Sequence, residues 1–113
     1  MSVSAAFVPT GNTFTLTAAT SAPTPVQVVS TTLGGNQYRV INSSATQGCF
    51  LSYAQTESEA TTNCVLVTAG NPQKVVYLLP STDEIISFVP NAYFTAITTT
   101  GSSVLYITPG DGI

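Results

Sequence analysis

Short apolar runs separated by turn residues are the feature that most restricts what this 113-residue chain can fold into. The run TFTLTA alternates strictly, so Phe14, Leu16 and Ala18 share one face of a strand and threonines occupy the other. The remaining runs are VQVVST, QYRVIN, GCFLSYA, CVLVT, VVYLL, IISFV, YFTAIT and SVLYIT. Turn signals separate the runs at a spacing of about 10–12 residues, which is typical of sandwiches and barrels. The pattern predicts an all-β, single-domain β-sandwich, of jelly-roll or Ig-like topology, with eight or nine short antiparallel strands.

The chain ends are predicted to lie outside this sandwich. The predicted divisions are an N-terminal arm (1–12), the β-sandwich domain (13–108) and a C-terminal tail (109–113). In the arm, Phe7 and Val8 precede a Pro-Thr-Gly break, and we expect this apolar pair to dock on a partner. The stretch AQTESEATTN, at positions 54–63, could form one helical turn, but its Thr and Asn content favours a loop.

Charge is scarce along the whole chain. Charged residues make up 6% of the sequence, against about 25% in a typical domain, and the net charge is −3. The last predicted hairpin, from Phe88 to Gly110, has no charged residue. Because hydroxyl-rich surface costs little to desolvate, we expect this hairpin to be core or covered surface and the exterior to pack against other subunits. A secreted or cell-surface β domain is the alternative.

Two of the predicted strands, VVYLL and CVLVT, are apolar on both faces. A two-sheet sandwich leaves one face of each sheet open to water, so such strands predict that something covers the outer face. A neighbouring subunit, a closed barrel or a covering loop would each do this.

The basic residues exclude two classes of partner. The chain has only Arg39 and Lys74 as cations and no histidine, and two isolated cations cannot form the basic patch that nucleic-acid or anionic-membrane binding requires. No stretch approaches 18 consecutive apolar residues, so no transmembrane helix is predicted. The first residues lack the basic and apolar regions of a secretory signal, which predicts a protein made and kept in the cytosol.

The two cysteines, Cys49 and Cys64, lie in strand-like runs. In a cytosolic protein such a pair is more often two buried thiols than a disulfide, although a disulfide stays open as the alternative. Neither cysteine has a basic neighbour in the sequence to lower its thiol pKa, so a nucleophilic role is not expected.

No residue set in the sequence indicates catalysis. Paired carboxylates can hydrolyse glycosides, but Glu57 and Glu59 share a polar stretch, and Asp83 and Glu84 follow a turn, where solubility and turn formation explain them. Without histidine there is neither a Ser-His-Asp triad nor a tetrahedral zinc set. We therefore predict no enzyme activity, no catalytic or metal-binding residues and no cofactor. A lectin-like site on exposed tyrosines stays open.

The last two thirds of the chain resemble a known group of proteins. The segments YRVIN…GCFLSYA, VYLLP and FVPNAYFTAITTTGSSVLYITPGDG are similar to those of small β-sandwich proteins encoded in the structural-gene clusters of tailed bacteriophages. The likeness begins at about Gln37, and its motifs are structural rather than catalytic.

The resemblance implies a structural virion protein, specifically a capsid decoration (cement) protein on the outer head surface. It implies the major capsid protein as partner, a homo-oligomer (trimer or dimer), and a virion assembled in the host cytoplasm. The interface candidates are Phe7 and Val8 in the arm and Arg39, which would pair with a capsid carboxylate or with an acid of its own chain. A receptor- or glycan-binding β module on a tail or head fibre is the alternative function.

Overall fold

A computed structural model describes residues 7–31 and 35–111 of the chain. These residues contain nine short strands and one helix, and the strands form two antiparallel sheets. In chain order the elements are β1 (Val8–Pro9), β2 (Phe14–Ala18), β3 (Val26–Gln27), β4 (Gln37–Asn42), β5 (Cys49–Ala54), α1 (Glu57–Asn63), β6 (Val76–Leu78), β7 (Thr82–Ser87), β8 (Tyr93–Ile97) and β9 (Ser103–Asp111). The predicted all-β sandwich is confirmed.

The strand order distinguishes the two predicted topologies. One sheet, called sheet A here, has the order β1-β9-β4-β7, and β2 also pairs with β9. The register aligns Val8 with Asp111 and Phe14 with Ile107, so β1 and β2 are two parts of one edge. The other sheet, sheet B, has the order β3-β8-β5-β6. From β2 onward the chain crosses between the sheets at every step except β5 to β6, which gives the jelly-roll arrangement and not the Ig-like one.

The charge-free stretch near the C-terminus is not a hairpin. β8 lies inside sheet B and β9 lies inside sheet A, so the two strands do not pair with each other. In β8, Phe94, Thr95 and Ala96 are fully buried, and so are Leu105 and Ile107 in β9. The stretch lacks charge because it supplies a central strand to each sheet, where an unpaired charge would have to be desolvated.

The sandwich core is anchored by aromatic contacts between the sheets. Tyr38 of β4 and Phe94 of β8 are both fully buried, and their ring centroids lie 4.8 Å apart in an edge-to-face arrangement. The Tyr38 hydroxyl donates to the Val89 carbonyl oxygen at 2.6 Å and accepts from the Ala92 amide at 3.0 Å. The buried phenol is thereby satisfied, and it fixes the connection between β7 and β8.

The helix α1 corrects the prediction of a loop at positions 54–63. Thr56 caps its N-terminus, because the Thr56 hydroxyl accepts a hydrogen bond from the Glu59 amide at 3.2 Å. The helix packs on the outer face of sheet B, where the Ser52 hydroxyl donates to the Ala60 carbonyl oxygen at 2.8 Å and Ala60 is fully buried. A segment of the same chain therefore covers part of the outer face for which the doubly apolar strands predicted a cover.

Other predicted boundaries shift. CVLVT, predicted to be a strand, is irregular and leads away from α1, and VVYLL forms a strand only over Val76–Leu78. At the C-terminus, β9 continues through the Pro-Gly pair to Asp111 and pairs with β1. The described part of the predicted arm and the described part of the predicted tail therefore hold each other in sheet A. Residues 1–6, 112 and 113 of those segments lie outside the described residues.

Candidate functional site

The carboxylates considered for catalysis stay apart and exposed. Glu57 and Glu59 lie in the first turn of α1, where their negative charges interact favourably with the positive end of the helix dipole. Asp83 and Glu84 are successive residues of β7, so their side chains point to opposite faces of the strand. Over residues 7–31 and 35–111, no three side chains of His, Cys, Asp or Glu come together in a way that could hold a metal ion.

Arg39 forms an ion pair within its own chain. Its Nη2 atom lies 3.2 Å from Asp83 Oδ2, and its Nε–H donates to the same oxygen, also at 3.2 Å. The two residues lie on neighbouring strands, β4 and β7, and are diagonal in the register because Arg39 is aligned with Ile85. Both side chains are about half exposed, so the pair is accessible at the surface. The ion pair within the chain, one of the two options predicted for Arg39, is therefore formed in the single chain.

The other two interface candidates lie beside the last strand of sheet A. The Phe7 ring packs so closely over Gly110 that a Cβ atom there would meet it, as well as the Val8 carbonyl oxygen at 2.8 Å. Phe7 is half-buried, whereas the Val8 side chain is 45% exposed. Val8 is therefore the member of the pair that is open to a partner.

Both cysteines are free and buried, as the sequence predicted. Burial, together with a smaller coulombic effect of Cys64, raises the pKa of the Cys49 thiol to about 11. Burial likewise raises the pKa of the Cys64 thiol to about 11. Thiolates, the nucleophilic form, are therefore rare near neutral pH at both residues.

A pocket of about 320 Å³ opens beside α1, at the edge of sheet B. Tyr53 of β5 and Phe88, which follows β7, form its aromatic floor, with ring centroids 4.9 Å apart in an edge-to-face arrangement. Their neighbours in the wall are Ala54, Val75 and Val76. The pocket thus lies where β6 and the end of β7 meet the helix.

Four polar side chains complete the pocket. Glu59 and Asn63 come from α1, and Gln73 and Lys74 come from the irregular segment before β6. Within the described residues, none of these side chains makes a hydrogen bond or an ion pair to another part of the chain. This contrasts with the buried polar residue Asn42, whose side-chain amide donates to three carbonyl oxygens. The pocket therefore combines an apolar floor with polar groups that are available to a ligand.

A second feature is the number of exposed apolar side chains in the chain segment between α1 and β7. Residues 65–79, called the crossover segment here, run from the end of α1 through β6 and contain one charged residue, Lys74. The structure shows eight exposed large hydrophobic side chains in its described part, and five of them belong to this segment. They are Val65, Val67, Val76, Tyr77 and Leu79, with exposures of 37–58%.

Sequence reasoning missed the pocket, and it placed the apolar side chains of the crossover segment in doubly apolar strands that need a cover. The floor and rim of the pocket come from four separate segments, and the exposed valines were predicted to be part of a strand. No helix among the described residues has the length and apolar character needed to cross a membrane. Comparison of the chain with protein-family models, with curated proteins and with solved structures found no match.

Proposed function

We propose that this chain is a structural virion protein of a tailed bacteriophage, a capsid decoration (cement) protein that binds the major capsid protein on the outer head surface. The observation that carries this proposal is the crossover segment, which has five exposed large apolar side chains and a single charged residue. Exposed apolar surface of this kind is typical of protein–protein contacts. The resemblance of residues 37–113 to small phage structural proteins supplies the class of partner.

The low charge of the chain supports a function based on contact area. Binding through Val65, Val67, Tyr77 and Leu79 removes apolar surface from water and strips few ions of their hydration. A standard interface buries about 1,200–2,000 Å² in total, and repetition on a lattice strengthens each contact through effective concentration. Jelly rolls occur in viral capsid proteins as well as in lectins, which supports the proposal by analogy of fold only.

The carboxylates and thiols of the chain also support a non-catalytic role. The carboxylates of Asp83 and Glu84 point to opposite faces, and the buried thiols of Cys49 and Cys64 have raised pKa values. A dimer or trimer that bridges capsid subunits in the virion, after assembly in the host cytoplasm, completes the proposal.

Binding of the purified protein to expanded heads tests the proposal. Occupancy is measured by gel quantification and electron microscopy for the wild type and for Leu79→Ser, which replaces the most exposed of the large hydrophobic residues (58%). We expect Leu79→Ser to weaken binding about tenfold or more, as for a central interface residue. Its matched control is Val29→Ser, because Val29 is 40% exposed and follows β3 at the opposite edge of sheet B. Failure of the wild type to bind heads, or equal effects of both variants, would refute the proposal.

The remaining interface candidates call for separate variants. Val8→Ser changes the exposed valine of β1 without touching the Phe7 contact to Gly110, and Arg39→Met removes the cation of the surface ion pair. If either residue contacts the shell, its variant lowers head occupancy while the thermal unfolding midpoint stays close to that of the wild type. Unchanged occupancy would remove that residue from the interface.

A further inference from the structure

We propose that the pocket beside α1 binds a single neutral pyranose ring, either a monosaccharide or the terminal residue of a glycan. Its volume of about 320 Å³ falls at the small end of the range of about 300–1,000 Å³ that ligand pockets occupy. A ligand of one ring fits this size, and a longer chain would have to continue out of the open side.

The floor of the pocket suits the apolar face of such a ring. Tyr53 and Phe88 are half-buried and pack edge to face, and Tyr53 is also held against Phe94 with a centroid distance of 5.8 Å. The two rings are therefore fixed by contacts beneath them before any ligand arrives. A pyranose presents axial C–H bonds on its faces and most of its hydroxyls around the edge, so a face of C–H bonds can lie on the aromatic surface without loss of hydroxyl hydrogen bonds.

The rim of the pocket suits the hydroxyls. Glu59 offers only acceptors, Lys74 offers only donors, and the amides of Asn63 and Gln73 offer both. Each sugar hydroxyl is both a donor and an acceptor, so a mixed rim of this kind can satisfy several of them at once. Because these four side chains make no hydrogen bond or ion pair to other described residues, binding need not break an internal contact.

The charges of the rim select against charged ligands. Glu59 and Lys74 cancel, so an anionic ligand would face the Glu59 carboxylate and a cationic ligand would face the Lys74 ammonium group. A purely apolar ligand would cover the four polar side chains without replacing their bonds to water. A zwitterionic amino acid is the competing occupant, since its two charges could each find a partner. It offers fewer hydroxyl-like groups for the two amides.

Titration of the whole protein with neutral monosaccharides tests the proposal. The panel is glucose, galactose, mannose and N-acetylglucosamine, with glycine and leucine as zwitterionic probes, and binding is followed by amide chemical shifts. The key variant is Glu59→Gln, and its matched control is Glu57→Gln. Both glutamates are exposed in the first turn of α1, but only Glu59 lines the pocket. A second pair is Asn63→Ala with Thr62→Ala, its exposed neighbour outside the pocket.

We expect at least one sugar to bind saturably, with shifts concentrated at Tyr53, Phe88 and the residues around them. Glu59→Gln should raise its dissociation constant about tenfold, because a charge-assisted hydrogen bond becomes a neutral one, while Glu57→Gln leaves it unchanged. Absence of binding by every sugar, preferential binding of the amino acids, or equal effects of the paired variants would overturn the proposal. Sugar binding and head binding can fail independently, since Leu79 and Val65 do not line the pocket.

Discussion

Strands β6 and β7 follow each other along the chain and form the edges of different sheets, but their surfaces differ. β7 carries Asp83 and Glu84, and the Asp83 carboxylate holds Arg39 of the neighbouring strand at 3.2 Å. β6 has no charged residue, and its Val76 and Tyr77 side chains are 37% and 49% exposed. The edge strand β7 therefore carries charged side chains, whereas the edge strand β6, called the bare edge here, carries exposed apolar side chains and no charge.

The difference teaches where this molecule can accept a partner. Charged side chains on an edge strand prevent it from pairing with other chains, because pairing would strip the ions of water. β7 has this protection at two of its six residues, Asp83 and Glu84, whereas β6 is protected only by its length of three residues. The bare edge is continuous in sequence with the exposed valines of the crossover segment, which is the segment that we propose contacts the capsid.

The largest expected effect concerns the residue that ties the bare edge to sheet A. Asn42 of β4 is fully buried, and its amide nitrogen donates to the carbonyl oxygens of Gln47, Leu79 and Leu78 at 3.0, 3.2 and 3.4 Å. Asn42→Ala removes these bonds and leaves an unfilled space in the core, although the Thr82 and Ser103 hydroxyls still donate to the Leu79 and Gln47 carbonyl oxygens. We expect the free energy of unfolding to fall by about 3 kcal/mol in chemical denaturation.

The same variant separates the two edges. Hydrogen exchange should accelerate more at the end of β6, where Leu78 and Leu79 lose their anchor, than along β7. Asn36→Ala is the control, since Asn36 is exposed and makes no side-chain hydrogen bond within the described residues. Equal acceleration in both edges would show that Asn42 does not hold β6 specifically.

An intermediate effect is expected from the two thiols behind the bare edge. Cys49 is aligned with Leu78 of β6, Cys64 precedes the crossover segment, and burial raises the pKa of each thiol from 9.0 to about 11. The folded pKa lies above the unfolded one, so the unfolded chain loses its protons first. Their contribution to stability is therefore complete below pH 9 and is lost as the pH rises toward 11.

For the two thiols together, the free energy of unfolding should fall by about 2 kcal/mol between about pH 9 and about pH 10. Denaturation curves at several pH values measure this, and the double variant Cys49→Ala/Cys64→Ala should show a shallower fall. Thiol labelling of the native protein adds a test of the comparison. Cys64, 8% exposed, should react before Cys49, which is fully buried. The reverse order would mean that the chain just before the crossover segment opens no more readily than the centre of the sheet.

The smallest expected effect on stability concerns β7, the edge strand that carries Asp83 and Glu84. Asp83→Ala removes an exposed ion pair, so we expect a loss of less than about 1 kcal/mol in thermal unfolding. Because a charge on an edge strand prevents pairing with other chains, Asp83→Ala should instead increase concentration-dependent association, measured by light scattering. The control is Glu57→Ala on α1, which should not increase it. Tyr77→Lys places a charge on the bare edge and should have the opposite effect. If neither variant changes association, charge does not distinguish the two edges.

How much of the fold could be predicted depended on how local each signal was. The alternation in β2 and the apolar runs of β8 and β9 report burial directly, and these strands lie where the sequence predicted them. The helix was missed because Thr and Asn were read as loop formers. The pair Thr56 and Glu59, spaced as in a capping box, was the available signal for its start. CVLVT has a strand-like composition but pairs with no strand.

The pocket could not have been predicted in the same way. Tyr53 and Phe88 are far apart in sequence, and nothing in either neighbourhood indicates that their rings meet. Their meeting depends on the order of strands in two sheets, which periodicity does not determine. The pairing of Arg39 with Asp83 likewise requires the register of β4 against β7. The sequence contains five acidic residues, and it does not indicate which of them pairs with Arg39.

The pairing of Val8 with Asp111 brings the two ends of the described chain to adjacent positions on the same border of sheet A. Fusion partners attached at these two ends would emerge side by side. A short peptide could also join them, with new termini opened at the exposed turn around Gly70, where an added side chain would meet no atom within 4 Å. The architecture is therefore suited to circular permutation, in which the order of strands along the chain changes while their places in the two sheets do not.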